Sequence, residues 1–336
     1  MPHTLRNKFD EKLTYQNLMN AHKKSSNCKR CKKDIILFNL KQEAYIKYLY
    51  DELKNQTYKH GGYTTFFIHE PKLRKIQKSR YIDRVVHRWV VDNFLGPAFI
   101  PQFISTSYAC LPNRGMHKAT LDVKYTLSHC KRVWGTYYIL KMDVRKYFQS
   151  INKKILLEIL NRKIKDKKLM WLLNEIVNST PDPTGIPIGN YTSQIFANIY
   201  LNEVDQFVKH KLKLKYYFRY MDDTIIITRT KVEAQHCLEQ ITKFLRENLQ
   251  LELNNKTQIF KSTQGVNFCG YKINGYRMKL REKGKKKLKK KVKVLTSKIK
   301  NGDMTSKDAK KYLCGHFGYI KYANTYNLVQ SLFYPD

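Results

Sequence analysis

Acidic residues are scarce in this chain of 336 residues: 27 Asp and Glu stand against 64 Lys and Arg, which gives a formal net charge of +37. A compact chain with so little negative charge repels itself unless a polyanion neutralises it. Nucleic acid is the usual polyanion, because contacts between phosphates and basic side chains release condensed counterions. The charge balance therefore favours a nucleic-acid partner.

Long apolar runs are also lacking. The sequence contains no run of about 18 apolar residues, which is the length needed to span a bilayer. Residues 1–10 lack the apolar core of a signal peptide. These absences predict a cytoplasmic protein without a membrane partner. The seven cysteines are an odd number, which in a reducing compartment predicts free thiols. Cys28 and Cys31 form a single C-x-x-C without a second pair nearby, so we expect surface thiols and not a zinc site.

The spacing of apolar residues predicts a mixture of helices and strands. Residues 11–58 have helical spacing, residues 63–80 have the pattern of a short hairpin, and a helix is expected to begin at Asp83 as its N-cap. A β-rich run over 137–142 precedes a helix that Asn152 is expected to cap. This order of elements predicts an α+β fold.

A second hairpin is expected in the following part of the chain. Two β-rich runs, 216–220 and 224–228, are separated by the short acidic step Met221–Asp223. Two more strand-like segments are expected near 250–260 and 266–274.

A basic amphipathic helix is predicted near the end of the sequence. From Arg281 to Lys300, 11 of 20 residues are Lys or Arg. Apolar residues nevertheless recur at helical spacing, at Leu288, Val292, Leu295 and Ile299. The charged face could be merely solvated or could grip a nucleic-acid duplex, and the charge of the whole chain favours the second interpretation.

Three aspartates form the candidate catalytic group. An Asp-Asp pair at a tight turn between hydrophobic strands places Asp222 and Asp223 at one edge of a sheet, and Asp143 at the end of a neighbouring strand completes the cluster. Such a cluster can hold two Mg²⁺ ions about 3.5–4 Å apart, which activate a hydroxyl and neutralise a leaving phosphate group. The pattern therefore predicts nucleotidyl transfer.

The step Tyr220-Met221-Asp222-Asp223 resembles the YxDD box of reverse transcriptases, and other segments over roughly residues 60–330 follow in the order of that family. They are Lys72-x-Arg74, residues 107–119, Lys141–Ile151, Asn254–Thr257 and Gly265–Tyr271. The resemblance implies a right-hand polymerase fold of class α+β with fingers, an RRM-like palm and a helical thumb. It implies a helical N-terminal extension (1–60), fingers (61–134), a palm (135–272) with an interleaved fingers segment at about 160–185, and a basic thumb (273–336).

The segment Ile188-Gly189-x-x-x-Ser193-Gln194 resembles a narrower group, the reverse transcriptases of diversity-generating retroelements in the bacterial and phage lineage related to group II introns. Most reverse transcriptases carry Gln-Gly at this place. Enzymes of the narrower group copy a template RNA with frequent errors opposite adenine, together with an accessory protein. A Gln could hydrogen-bond the nucleotide or the template and Ile188 cannot, so we hypothesise low fidelity; the rival interpretation is that Ile188 only packs.

The resemblance implies individual roles. Asp143, Asp222 and Asp223 would be catalytic and would hold two Mg²⁺ ions, with Mn²⁺ as an alternative and the carbonyl of Val144 as a further ligand. Nucleotide contacts would come from Lys72, Arg74, Phe148 (as the gate against the 2′-hydroxyl), Ile188, Gly189 and Lys256. Template or primer contacts would come from Arg114, Lys118, Ser193, Gln194, Tyr220, Gly270 and Tyr271.

Template RNA, the cDNA product and dNTPs are the expected partners, joined by an accessory protein or a noncoding RNA. Three alternatives to error-prone copying stay open from the sequence. One is a small defence-associated reverse transcriptase that copies a partner noncoding RNA, and another is a non-catalytic RNA-binding scaffold. The third is a variant polymerase that carries out untemplated or protein-primed synthesis.

Overall fold

The computed structural model of the protein describes residues 4–69 and 73–334. The α-helices of this part are α1 Phe9–Lys12, α2 Tyr15–Ser26, α3 Lys33–Leu40, α4 Gln42–Lys54, α5 Tyr81–Val90, α6 Gly96–Phe99, α7 Met116–Trp134, α8 Tyr147–Ser150, α9 Lys153–Lys163, α10 Lys167–Val177, α11 Tyr191–Gln206, α12 Lys231–Leu249, α13 Glu282–Lys300, α14 Ser306–Ile320 and α15 Tyr326–Phe333. The strands are β1 Tyr63–Ile68, β2 Arg74–Ser79, β3 Tyr138–Met142, β4 Tyr217–Tyr220, β5 Asp223–Thr228, β6 Gln258–Lys261, β7 Val266–Phe268, β8 Tyr271–Ile273 and β9 Met278–Leu280. Within these described residues no helix is long and apolar enough to cross a membrane.

The chain divides into two units that are each discontinuous in sequence. The first consists of Met1–Ser105, Val144–Lys213 and Ile241–Leu253, and the second of Thr106–Asp143, Leu214–Gln240 and Asn254–Asp336. These units do not coincide with the expected bounds of extension, fingers, palm and thumb, which stay a prediction.

The first unit contains the predicted hairpin. Strands β1 and β2 pair antiparallel from Tyr63 opposite Ser79 to Ile68 opposite Arg74. The helical character of residues 11–58 is confirmed by α2, α3 and α4. Trp89 of α5 is fully buried, and its ring meets those of Phe9 and Phe94 edge-on. Large aromatic side chains thus fasten the start of the chain to α5.

The expectation that Asp83 is an N-cap is wrong. Helix α5 begins at Tyr81, after Arg80, and Asp83 lies in its first turn and is buried. Its carboxylate accepts hydrogen bonds from the hydroxyl of Tyr58 at 2.7 Å and from the N–H of Gly61 at 3.3 Å. The Asp83 carboxylate therefore binds the segment before β1, and it does not cap α5. Asn152 does cap α9 as predicted, because its side chain accepts from the N–H of Ile155.

The second unit is built on a four-stranded antiparallel sheet in the order β4-β5-β3-β6. The predicted hairpin over 216–228 is confirmed by β4 and β5. Helix α7 packs on this sheet through a row of buried residues at helical spacing, since Val123, Leu127 and Cys130 share one hydrophobic core with Ile139 and Ile225. Mixed helices and strands of this kind confirm the α+β class.

A separate three-stranded sheet, in the order β7-β8-β9, follows in the same unit. The expected strands near 250–260 and 266–274 are corrected here. Only Gln258–Lys261 of the first segment is extended, and the second segment is a hairpin that β9 extends into a third strand. Strands of three residues are too short to give a periodic signal in the sequence.

The basic amphipathic helix is confirmed as α13. Leu288, Val292 and Leu295 are buried against α14, whereas Ile299 is 36% exposed. The apolar seam therefore ends one turn before the helix does.

Candidate active site

Asp222 lies in a two-residue turn at the end of the β4–β5 hairpin. Tyr220 and Asp223 form the last paired position, so Met221 and Asp222 make the turn. Met221 has a φ of +56°, a left-handed conformation that side-chain-bearing residues seldom adopt. The buried Arg219 donates from Nη1 to the Met221 carbonyl at 3.1 Å. This bond stabilises a strained turn that presents Asp222.

Asp143 lies opposite Asp223 at the same end of the sheet. The pairing of β3 with β5 ends with Met142 opposite Thr224, so the next step of the register places Asp143 opposite Asp223. Directly opposed Cα atoms in antiparallel strands are about 4.5–5.5 Å apart. The register and the turn together bring all three predicted aspartates to one edge.

Burial and mutual repulsion govern the charge of this cluster. Burial and, next, the nearby carboxylate of Asp143 raise the pKa of Asp222 to about 7. Burial also raises the pKa of Asp223, whereas the ammonium of Lys141 lowers it. Carboxylates held so close together are fully ionised only when a cation joins them.

Lys141 is a residue of this site that the sequence did not single out. Its Nζ donates to Oδ2 of Asp223 at 3.2 Å and lies 3.0 Å from Oδ1. The same ammonium donates to the backbone carbonyl of Asn267 in β7. The sequence does contain a signal for this role. Lys141 lies two residues before Asp143 in an otherwise apolar strand, and alternate residues of a strand share a face.

Asn254 is the second residue to which the sequence assigned no individual role. Its N–H donates to the Asp143 carbonyl at 2.7 Å, and its Nδ2 donates to Oδ2 of Asp143 at 3.2 Å. Its Oδ1 accepts from the N–H of Lys256 at 3.1 Å, which forms a local Asx turn. Asn254 therefore fixes the orientation of one catalytic carboxylate, while Lys256 itself is exposed.

The three carboxylates suit a hard divalent cation. Oδ1 of Asp223 is buried, and the Lys141 ammonium lies 3.0 Å from it. Three carboxylates at one edge of a sheet are the donor set that Mg²⁺ and Mn²⁺ prefer. As the side chains stand, residues 4–69 and 73–334 contain no group of three or more His, Cys, Asp or Glu that could hold a metal ion. One of the three carboxylates, that of Asp223, is paired with the ammonium of Lys141.

The predicted template and primer residues of the second unit have defined positions. Arg114 donates from Nη1 to the Ser107 carbonyl at 2.7 Å, and Lys118 is exposed on α7. Tyr220 is half-buried and ends β4.

Gly270 and Tyr271 lie against α14. Gly270 has a φ of +89°, and a Cβ there would lie 2.9 Å from the ring of Tyr319. Tyr271 is buried and donates from its hydroxyl to the Tyr319 carbonyl at 3.1 Å. Only glycine fits the first position, so this pair is tied to the packing of α14.

The first unit holds most of the predicted nucleotide residues. The Ile188 carbonyl accepts from the N–H of Gln77 in β2 at 3.1 Å, and the Phe148 carbonyl accepts from the N–H of Ile186 at 2.8 Å. Gly189 has a φ of +128°, and a Cβ there would lie 3.2 Å from the Gln77 carbonyl. The structure thus brings Phe148, the Ile188–Gly189 segment and β2 together.

The remaining predicted residues of this unit are less grouped. Arg74 is exposed at the start of β2, Ser193 is buried in α11 and Gln194 is exposed on it. Val144 is buried, and its backbone bridges to Leu253. Lys72 lies outside the described residues.

Cys28 and Cys31 are free and exposed. This agrees with the interpretation of the pair as surface thiols.

Comparison with known proteins gives one family match. The family model described as reverse transcriptase (RNA-dependent DNA polymerase) matches residues 59–273. The group II intron-encoded protein LtrA of Lactococcus lactis subsp. cremoris is 25% identical over a match that covers 69% of this chain and 50% of LtrA. Protein YkfC of Escherichia coli (strain K12) is 26% identical, with 60% of this chain and 63% of YkfC covered.

The chain therefore spans less than two thirds of the length of these curated relatives. Among solved structures, telomerase from Candida tropicalis in complex with a fragment of telomeric RNA is 14% identical with a TM-score of 0.49, over 66% of this chain and 45% of that one. A likeness at this level carries no weight beside the family match.

Proposed function

The chain belongs to the reverse transcriptase family, and on that premise we propose that it is an RNA-directed DNA polymerase that uses the edge formed by Asp143, Asp222 and Asp223. Its fold is the right-hand polymerase fold of class α+β. The observation that carries the proposal is the convergence of the three carboxylates, since the strand register places Asp143 opposite Asp223 and the adjoining turn presents Asp222.

Two Mg²⁺ ions held by the three aspartates and the Val144 carbonyl would supply the charge that activates the primer hydroxyl and neutralises the leaving pyrophosphate. The protein's own side chains prepare this edge. Asn254 holds the Asp143 carboxylate by one hydrogen bond, and Arg219 holds the turn through the Met221 carbonyl. Lys141 keeps Asp223 compensated. Positioning of this kind lowers the cost of reorganising the site during the reaction.

The roles of the other residues are part of the proposal. We assign the triphosphate to Lys72, Arg74 and Lys256, because lysine offers a point charge and arginine a forked donor. We assign the nucleotide sugar to Phe148 and the nascent pair to Ile188 and Gly189. Template or primer contacts are assigned to Arg114, Lys118, Ser193, Gln194, Tyr220, Gly270 and Tyr271.

The narrower proposal is error-prone copying of a template RNA in a diversity-generating retroelement. It is supported by Ile188, whose half-buried side chain offers no hydrogen-bonding group to a base pair and whose backbone carbonyl is occupied by Gln77. The partners would be template RNA, dNTPs, cDNA and an accessory protein. The rival is a small defence-associated enzyme that copies a partner noncoding RNA. Sequencing the cDNA made in cells separates the two, since adenine-directed substitutions support diversification and a faithful copy of one noncoding RNA contradicts it.

Primer extension on a defined RNA template with dNTPs and Mg²⁺ tests the polymerase proposal. We expect incorporation by the wild type and none by the variant Asp222→Asn/Asp223→Asn. Asp303→Asn is the matched control, because Asp303 is an exposed carboxylate of the same unit that lies outside the cluster. Incorporation that survives in the double variant would overturn the proposal.

A further inference from the structure

A second group of aromatic and basic side chains lies at the end of the four-stranded sheet that is remote from the aspartates. Asp143 and Asp222 follow the last residues of β3 and β4, so the residues that precede these strands lie at the opposite end of the sheet. A strand of five residues separates its two ends by about 15 Å. We call the group at this remote end the distal patch; it comprises Arg132, Trp134, Lys215, Tyr216, Tyr276 and Arg277.

Tyr216 forms the centre of one half of the distal patch. The ring of Trp134 meets it edge-on with centroids 5.6 Å apart, and the ammonium of Lys215 lies 5.3 Å from the Tyr216 ring centroid. Trp134 and Tyr216 are only partly buried, and Lys215 is exposed. Aromatic faces paired with a cation in this way are the components of a stacking site for nucleic-acid bases.

Tyr276 forms the other half and is 72% exposed. Its position is fixed, because the side chain of Asn274 accepts hydrogen bonds from the N–H groups of Tyr276 at 2.9 Å and Arg277 at 2.7 Å. The hydroxyl of Ser128 in α7 donates to the Gly275 carbonyl at 2.5 Å. An aromatic ring that a rigid turn holds in solvent buries little surface in the hydrophobic core, and it is accessible to a binding partner.

The two halves adjoin the same helix, α7. A Cβ on Gly275, the residue before Tyr276, would lie 3.2 Å from the Leu127 carbonyl oxygen and 3.2 Å from the Cβ of Lys131. Trp134, which contacts Tyr216, is the last residue of the same helix. The Tyr276 turn and the Trp134–Tyr216 pair therefore lie along one helix and belong to one surface.

The segments that build the distal patch carry no negative charge. Residues 123–142, 210–221 and 265–281 contain no Asp or Glu. The cations Arg132, Lys215 and Arg277 therefore have no acidic neighbour along these segments, which favours contacts with phosphates. Glu233 follows β5 at this end of the sheet, and its carboxylate accepts from the backbone N–H groups of Arg229 and Thr230.

We propose that the distal patch is a second RNA-binding site that holds a single-stranded segment of RNA away from the catalytic aspartates. The bases would stack on Tyr276 and Tyr216, and the phosphates would contact Arg132, Lys215 and Arg277. An acidic peptide could satisfy the cations, but it has no planar faces to cover the aromatic rings, so the combination favours RNA. The site lies outside the residues to which polymerisation is assigned, and it would bind RNA whether or not the protein synthesises DNA.

The test uses the full chain saturated with a hairpin that joins an RNA template to its primer, so that the polymerase site is filled. A fluorescent, unstructured oligouridine RNA is then titrated and followed by anisotropy. We expect Tyr276→Ala to weaken binding of this second RNA by about tenfold, as for the loss of one stacked base. Tyr48→Ala, which removes another exposed tyrosine, should bind as the wild type does.

The charge contribution is tested by Arg132→Gln/Lys215→Gln/Arg277→Gln. This variant should weaken binding and lower the dependence of log K on log salt by about 2, at about 0.7 for each lost phosphate contact. The control Lys154→Gln/Lys165→Gln/Lys167→Gln removes the same charge from exposed positions of the first unit. If both triple variants bind the second RNA equally weakly, the loss of affinity depends only on the net charge of the protein, and the proposal is overturned.

Two more outcomes would also overturn it. One is unchanged binding of the second RNA by Tyr276→Ala. The other is an acidic peptide of equal charge that binds as tightly as the RNA with the same dependence on Tyr276. Primer extension by Tyr276→Ala on the hairpin should equal that of the wild type.

Discussion

Lys141 and Asp223 form an ion pair across neighbouring strands, with Nζ 3.0 Å from Oδ1. The two residues belong to β3 and β5, and Lys141 pairs directly with Ile225, so Asp223 is its diagonal neighbour on the same face. Asp143 shares that face, because it lies two residues beyond Lys141. The ammonium therefore compensates a carboxylate within the cluster that is assigned to metal binding.

Removal of this ammonium should make metal binding tighter. In Lys141→Gln, a divalent ion no longer competes with a charged hydrogen bond to Asp223, which is worth about 1.5 kcal/mol or about tenfold in affinity. The apparent dissociation constant for Mn²⁺, measured by electron paramagnetic resonance without nucleic acid, should fall by about that factor. Lys261→Gln is the control, because it removes an exposed lysine from β6 of the same sheet. Metal binding that is unchanged or weaker in Lys141→Gln would refute this role.

Asn254 should matter for the rate more than for substrate binding. Asn254→Ala removes the side-chain bond to Oδ2 of Asp143, and a hydrogen bond to a charged group is worth about 1.5–3 kcal/mol. We expect kcat for dNTP incorporation to fall by about 10- to 100-fold with little change in KM. The exposed neighbour variant Asn255→Ala should keep wild-type kinetics. Equal losses in both variants would show that the turn matters and the hydrogen bond does not.

Ile188 should control fidelity. Ile188→Gln adds hydrogen-bonding groups where the parent has none, so errors opposite adenine should become fewer in sequenced cDNA. Ile188→Leu keeps the apolar character and should keep the parent error spectrum. Identical spectra for Ile188→Gln and the parent would leave Ile188 with a packing role only.

His87 should make folding sensitive to acid. It is fully buried, and within the described residues neither ring nitrogen has a hydrogen-bond partner. Burial, together with the nearby His60 and Arg84, lowers the pKa of His87 to about 3. The unfolded chain then binds the proton more tightly, so the contribution of His87 to stability is complete above pH ~6.5 and is lost as the pH falls from there toward 3.

The free energy of unfolding in urea at pH 6.5 and pH 5 tests this. The wild type should lose about 2 kcal/mol more than His87→Leu over this interval. His236→Gln, at an exposed histidine, should behave as the wild type does. The same loss in His87→Leu and the wild type would assign the acid sensitivity to other groups.

Local patterns were enough to predict the main elements. The alternation of apolar residues before Asp143 and around Met221–Asp223 predicts strands that end at the acidic residues, and the observed register agrees. The amphipathic spacing of α13 was equally readable. Each of these signals lies within about 20 consecutive residues, where periodicity is informative.

Contacts between distant segments were not predictable in the same way. Asn254 lies 111 positions from Asp143 along the chain, and Lys141 lies 82 positions from Asp223. The buried role of Asp83 likewise depends on Tyr58, whereas the sequence at Asp83 alone resembles a helix cap. Side-chain pairing depends on the folded arrangement of segments, which periodicity does not specify.

Single-turnover incorporation of one dNTP on an RNA template by Asp143→Asn, with RNA binding measured on the same samples, tests the catalytic role of the aspartates most directly. The change keeps the shape of the side chain and removes one charge. We predict that incorporation falls by at least about 10²-fold, since even partners outside the metal ligands are worth about 10–100-fold, while the dissociation constant for RNA stays within about twofold. Incorporation at the wild-type rate, or a loss that only follows weaker RNA binding, would contradict the assignment of Asp143 as a catalytic residue.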